Sequence, residues 1–157
     1  MYTKNLELTS RIFSFTTLKN VNYSLKLEKN KEIKWNAPSV SKLQTSVKKF
    51  LKSIWFNDIV FEEFPLRIKS GINLRFDFYN ATRRIAVEVM GDQHTRKVDF
   101  FHKDEDAFWK GVENDRLKEL FCEKNKIRLV ELYPSNIPID YEWLKNTYKE
   151  ICWPKQT

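Results

Sequence analysis

INLRFDFYNATRRIAVEVMG, residues 72–91, is the stretch whose division decides the fold. Its first part, INLRFDFYN (72–80), is rich in aromatic and branched residues that suit a strand. Its last part, RIAVEVMG (84–91), is almost continuously apolar, the pattern of a strand covered on both faces. Asn80-Ala81-Thr82 supplies turn residues between them, and the link is too short for a crossover, so the two strands pair as antiparallel neighbours. Upstream, IVFEEFPLRI (59–68) reads as a third strand, set off by Ser70-Gly71. Three strands joined by tight turns predict a meander.

Helices surround this meander. In NAPSVSKLQTSVKKFLKSIW, Val40, Leu43, Val47, Phe50, Leu51 and Ile54 recur at helical spacing after Pro38 and Ser39, which predicts a helix over 39–55. Its opposite face carries Lys42, Lys48, Lys49 and Lys52. Residues 92–103 read as a loop. A second helix is expected over 104–125, with a break near Gly111 and Phe108, Val112, Leu117, Leu120 and Phe121 as its apolar side. IRLVELYP then gives a fourth strand ended by Pro134, and a last helix is expected over 139–151. The order predicts an α/β layered fold, a mixed sheet flanked by helices. Residues 1–34 form an N-terminal extension with a candidate β-hairpin in RIFSFTTLKN and VNYSLKLE, read as an edge that completes the core ahead of a DNA-gripping arm. Residues 35–157 form the main domain.

Composition narrows the function classes. The chain has 157 residues, 41% hydrophobic and 31% charged, which suits one folded domain rather than disorder. Three glycines and five prolines leave no linker tract. Lys and Arg outnumber Asp and Glu by 28 to 21, a balance that attracts polyanions. Cys122 and Cys152 form neither a zinc-finger spacing nor a disulfide framework, and Cys122 in LKELFCEK reads as a small core residue. No apolar run reaches membrane-spanning length and MYTKNLELTS lacks a signal-peptide core, so a cytoplasmic location and no membrane partner are expected.

Polar residues in apolar places carry the chemistry. Glu88 interrupts the apolar run of 85–90, and an ionised carboxylate there is costly unless it is paired or bound to a cation. Asp77 lies between two Phe residues on the preceding strand. Tight pairing places both carboxylates near one end of the sheet, where a divalent ion between them relieves their repulsion. Hard oxygen donors suit Mg2+, with Mn2+ as a substitute. His94 follows in GDQH, where Gly91 lets the backbone bend, and its neutral imidazole can accept a proton from a metal-bound water. Asp115, on the second helix, can orient that imidazole. Each residue has a plainer reading: Asp77 as a strand end, Glu88 as a partner of Arg84, Asp115 and Glu119 as surface partners of Lys118, His102 in FFHKDED as a polar loop residue. Taken together, the spacing from Asp77 through Glu88 to His94 points to metal-dependent phosphodiester chemistry.

The stretch EEFPLRIKSGINLRFDFYNATRRIAVEVMGDQHTRKVDFFHK, with NDRLKELFCEKNKIRLVEL after it, resembles phage-encoded endonucleases of the very short patch repair type. These are the EDxHD homing endonucleases of the PD-(D/E)XK nuclease superfamily. The resemblance spans about residues 35–134 and implies a restriction-endonuclease-like core, Mg2+, double-stranded DNA as substrate, and a phage or mobile-intron setting in the host cytoplasm. It places the acidic metal ligand on Asp77 and the second acid on Glu88, and gives the metal a backbone carbonyl from Val89. It places the histidine on His94, with Gln93 beside it, and the late aspartate on Asp115. The early glutamate falls in Glu62-Glu63, with Glu63 favoured. The superfamily's usual lysine position holds Met90, which fits the histidine-using branch or a protein that binds DNA without cutting it. Lys and Arg along 42–52, 67–75 and 96–97 are the expected phosphate contacts. A repair or recombination nuclease that reads DNA structure is the alternative enzyme. A phage structural or host-interaction protein with an incidental basic face is the alternative from another class.

Overall fold

The computed structural model describes residues 10–91, 105–134 and 139–152. Strands β1 (Ser10–Thr16) and β2 (Asn22–Glu28) form an antiparallel hairpin. Helix α1 covers Lys42–Trp55. Strands β3 (Val60–Lys69), β4 (Ile72–Asn80) and β5 (Ile85–Val89) follow as the expected meander, then helix α2 (Glu105–Lys124), strand β6 (Arg128–Leu132) and helix α3 (Tyr141–Thr147). The four-stranded sheet runs β3-β4-β5-β6, antiparallel through β5 and parallel between β5 and β6. The fold is therefore mixed α/β, a sheet flanked by helices. The parallel step follows from α2, because only a crossover returns the chain in the same direction.

Local chemistry explains the boundaries. Ser41, rather than Ser39, caps α1 by accepting from the Gln44 N–H at 3.0 Å. Val40, expected on the apolar face, precedes the helix and is 78% exposed. Gly71 takes the turn between β3 and β4 at φ 78, a conformation open to a residue without a Cβ. Pro65 is tolerated in β3 because that strand is the edge of the four-stranded sheet. Helix α2 runs through Gly111 without the expected break; its neighbours continue the hydrogen-bonded turn, and one glycine costs a helix only about 1 kcal/mol.

Two apolar clusters hold the layers together. One joins α1 and α3 to the sheet through Val47, Phe50, Leu51, Phe78, Val87 and Leu144. The other joins α2 and the hairpin through Phe15, Phe64, Phe76, Tyr79, Leu117 and Phe121. The hairpin is thus part of the core: Phe15 is 4% exposed, and its ring lies 5.7 Å from that of Phe121 and 5.9 Å from that of Phe64. Polar ties reinforce this, with the Leu18 N–H donating to the Ile68 carbonyl at 2.8 Å and the Thr16 N–H to Asn125 Oδ1 at 2.8 Å. Trp55, fully buried, donates its indole N–H to the Ile151 carbonyl and pins the C-terminal segment to α1. Among the described residues no helix is long and apolar enough to cross a membrane.

Candidate functional site

The ladder between β4 and β5 has three rungs, Asn80–Ile85, Tyr79–Ala86 and Phe78–Val87. The next would join Asp77 and Glu88, and there the strands part, while β5 stays paired with β6 as far as Val89–Leu132. Side chains take over the abandoned hydrogen bonds. The Asp77 N–H donates to Glu88 Oε2 at 2.7 Å, and the Val89 N–H donates to Asp77 Oδ2 at 2.8 Å. The two carboxylates therefore fill the fork between the strands, each bound to the backbone of the other's strand. Buried N–H groups must find acceptors, so the fork and its acids are one structural unit.

The strand opposite carries a matching irregularity. Glu62 pairs with Phe78 and Phe64 with Phe76, so Glu63 stands across from Asp77. Glu63 has φ 55. Among the described residues the other positive-φ non-glycine positions, Asn20, Arg84 and Lys126, lie outside the strands. Side-chain alternation slips here on both strands. On β3, Phe61 shares a cluster with Phe64, Leu66 and Ile68; on β4, Tyr79 shares it with Phe76. Phe78 faces the other cluster. As a result Glu62 and Glu63, consecutive residues, both accept from the Gln44 amide, at 2.9 and 3.2 Å. A left-handed residue inside a strand costs of order 1–3 kcal/mol, and such outliers concentrate at functional sites.

The electrostatics follow from this crowding. Burial, reinforced by the nearby Asp77, pushes the Glu88 carboxyl up to about 7. Burial also raises Asp77, and the negative Glu63 adds to the rise, against the Val89 N–H and the Lys118 charge. Burial raises the Cys122 thiol as well, which makes it an inert core residue.

Lys118 was missed from sequence. Its ammonium donates to Glu88 Oε1, with 15% of the lysine side chain and 7% of the glutamate side chain exposed. Read along the helix, Lys118 seemed a surface partner of Asp115 and Glu119; its spacing instead sets it beside the buried Leu117, Phe121 and Cys122, and it pairs with Glu88. The one available signal was that spacing. Arg84, the plain partner expected for Glu88, instead donates to the Asn125 and Lys126 carbonyls. Lys48 also departs from expectation. It was placed on the polar face of α1, yet it is 2% exposed, bonded to the Ala37 carbonyl at 2.8 Å and paired with Glu62 at 2.9 Å. Buried in this way, it is not an exposed charge as its place on the helix predicted.

The remaining expected residues divide. Asp115, one turn before Lys118, lines a pocket of about 230 Å³ beside Met90, Val112 and Tyr133. Val89 stands at the fork through its N–H. The bend expected after Gly91 leads into residues outside those described. His94, Gln93, His102, Arg96 and Lys97 lie outside the described residues.

Among the described residues no three His, Cys, Asp or Glu side chains stand together as a metal-holding group. The donor chemistry at the fork nonetheless fits a hard divalent ion: two carboxylates side by side, with a third close enough to raise Asp77. The protein is in this sense a mixed α/β molecule with a paired-carboxylate centre at a strand fork. No family model matches the chain, and no solved structure does. It is similar to "Uncharacterized protein 033L" of Invertebrate iridescent virus 3, 36% identical over 83 residues, 49% of this chain and 42% of the viral protein. It is also similar to "Uncharacterized protein 307L" of Invertebrate iridescent virus 6, 35% identical over 65 residues, 41% of this chain and 33% of that protein. The match therefore spans less than half of either relative.

Proposed function

We propose that the protein is a metal-dependent endodeoxyribonuclease with a PD-(D/E)XK-type core, hydrolysing or nicking double-stranded DNA, of the homing type that its sequence resembles. The observation that carries this reading is the fork, where Asp77 and Glu88 from adjacent strands replace a ladder rung and meet the left-handed Glu63. A basic chain with an acidic centre suits a polyanionic substrate whose scissile phosphate would be drawn to a bound cation.

Asp77 and Glu88 would hold Mg2+, or Mn2+ in its place, with the Val89 carbonyl as the resemblance implies. When bound, the ion would polarise the phosphodiester and lower the pKa of a water. The protein's own residues do the rest. Gln44 fixes Glu63 beside Asp77. His94, on its sequence motif, accepts the proton of the attacking water with Gln93 beside it, and Asp115 orients it. Exposed lysines of α1, such as Lys42 and Lys49, and the exposed Arg67 and Arg75 position the DNA backbone.

Incubation with supercoiled plasmid, with Mg2+ and with chelator, tests the reading. Cleavage that requires Mg2+ and disappears in Asp77→Asn, with DNA binding retained, is the expected outcome. A second reading, a DNA-binding protein without cleavage, is favoured by Met90 in the usual lysine position and by the occupied Glu88 oxygens; metal-independent binding with no cut in any divalent ion would establish it. Preference for branched or mismatched DNA over plain duplex would point to a repair or recombination nuclease.

A further inference from the structure

Lys118 pairs with Glu88 at the fork. It touches Glu88, and its charge reaches Asp77, which in turn feels Glu63. Among the described residues Arg75 also reaches this cluster, 4.0 Å from Glu63, but its side chain is 67% exposed and screened by water. Lys118 is different in kind. Only 15% of its side chain is exposed, and its charged end faces a carboxylate that is itself buried. Taking an ammonium out of water costs several kcal/mol unless a counter-charge repays it, so this lysine is held by the acids it faces. It also occupies Glu88. One Glu88 oxygen accepts from Lys118 and the other from the Asp77 N–H, so both are engaged by protein donors.

We propose that Lys118 is the resident cation of the fork: its ammonium holds Glu88 while the site is metal-free, and a divalent ion binding at Asp77 and Glu88 must displace it. This rests on the nuclease reading for the identity of the ion. A lysine suits the role because its flexible stem lets the charge swing aside while α2 stays in place. The displaced ammonium remains beside the bound metal, where it can pair with a substrate phosphate. Lys118 is thereby both a competitor of the metal and a positioning residue for the DNA.

Calorimetric titration of Mn2+ into the full chain, freed of divalent ions, reads the competition directly. Lys118→Met and Lys118→Gln should bind Mn2+ roughly tenfold or more tightly than wild type, since one close charge is removed from a poorly screened site. Lys118→Arg, which keeps the charge, should stay near wild type. In the unmutated protein, amine acetylation followed by mass spectrometry should show Lys118 protected without metal and labelled faster with Mn2+. This arm needs no variant to fold. Unchanged or weaker Mn2+ affinity in the neutral variants, or labelling of Lys118 unaffected by Mn2+, overturns the proposal. If wild type still cleaves plasmid, the nuclease reading survives that failure. Tighter Mn2+ binding in a protein that never cleaves DNA supports the displacement and removes the nuclease. No Mn2+ binding by any form overturns both.

Discussion

Replacing Glu88 by glutamine should raise stability relative to wild type as the pH increases, even though it also takes the counter-charge from Lys118. Burial and the nearby Asp77 raise the Glu88 carboxyl from 4.5 to about 7. Between those values the folded chain binds a proton that the unfolded chain has released. Stability is then fully present below the unfolded value and is lost as the pH rises through the folded one. Moving the carboxyl from 4.5 to about 7 corresponds to about 3 kcal/mol at 1.36 kcal/mol per pH unit. Glutamine keeps an oxygen for the Asp77 N–H and adds an amide donor that can face the Asp77 carboxylate, so the fork stays closed. Urea unfolding, followed by tryptophan fluorescence in chelator at about pH 5 and about pH 8, measures the effect. The stability difference between Glu88→Gln and wild type should grow by about 2–3 kcal/mol across that range. A difference constant with pH would refute the reasoning, because Glu88 would then be as ionisable in the fold as in water. A growing difference would show a carboxylate that weakens the fold where it sits, as functional residues often do.

Other substitutions test the remaining assignments. His94→Ala should slow plasmid cleavage by about 10²–10⁴-fold while His102→Ala does far less; the reverse order would mean the motif chose the wrong histidine. Phe15→Ala should cost about 3–5 kcal/mol in urea unfolding if the hairpin is core, and a loss below about 1 kcal/mol would make it an appendage. Lys48→Met should lower stability by about 2–3 kcal/mol, reduced from the usual cost of breaking a buried pair because Glu62 is 17% exposed, and leave DNA affinity unchanged. Weakened DNA binding at full stability would return Lys48 to the phosphate contacts.

The order of elements was legible in the sequence because each rested on a local rule. Residues 72–80 and 84–91 announced paired strands by composition and a short turn, and α1 announced itself by the recurrence of Val47, Phe50 and Leu51. Asp77 and Glu88 stood out for the same reason: an acid inside an apolar strand conflicts with its neighbours, and that conflict is written in one dimension. What the carboxylates do there is not. Their exchange of backbone hydrogen bonds depends on β4 and β5 parting after three rungs, which a list of residues does not reveal. The choice between Glu62 and Glu63 was undecidable from alternation because alternation itself fails there, through the left-handed turn at Glu63. Lys118 and Lys48 were misread because charge predicts exposure only when no counter-charge waits inside. Each lysine meets its glutamate from another element, 30 residues away for Lys118 and Glu88, so the pairing exists only once helix and sheet have packed. Periodicity is a property of the chain and survives in the sequence; compensation between distant charges is a property of the packed molecule, and only the tertiary structure contains it.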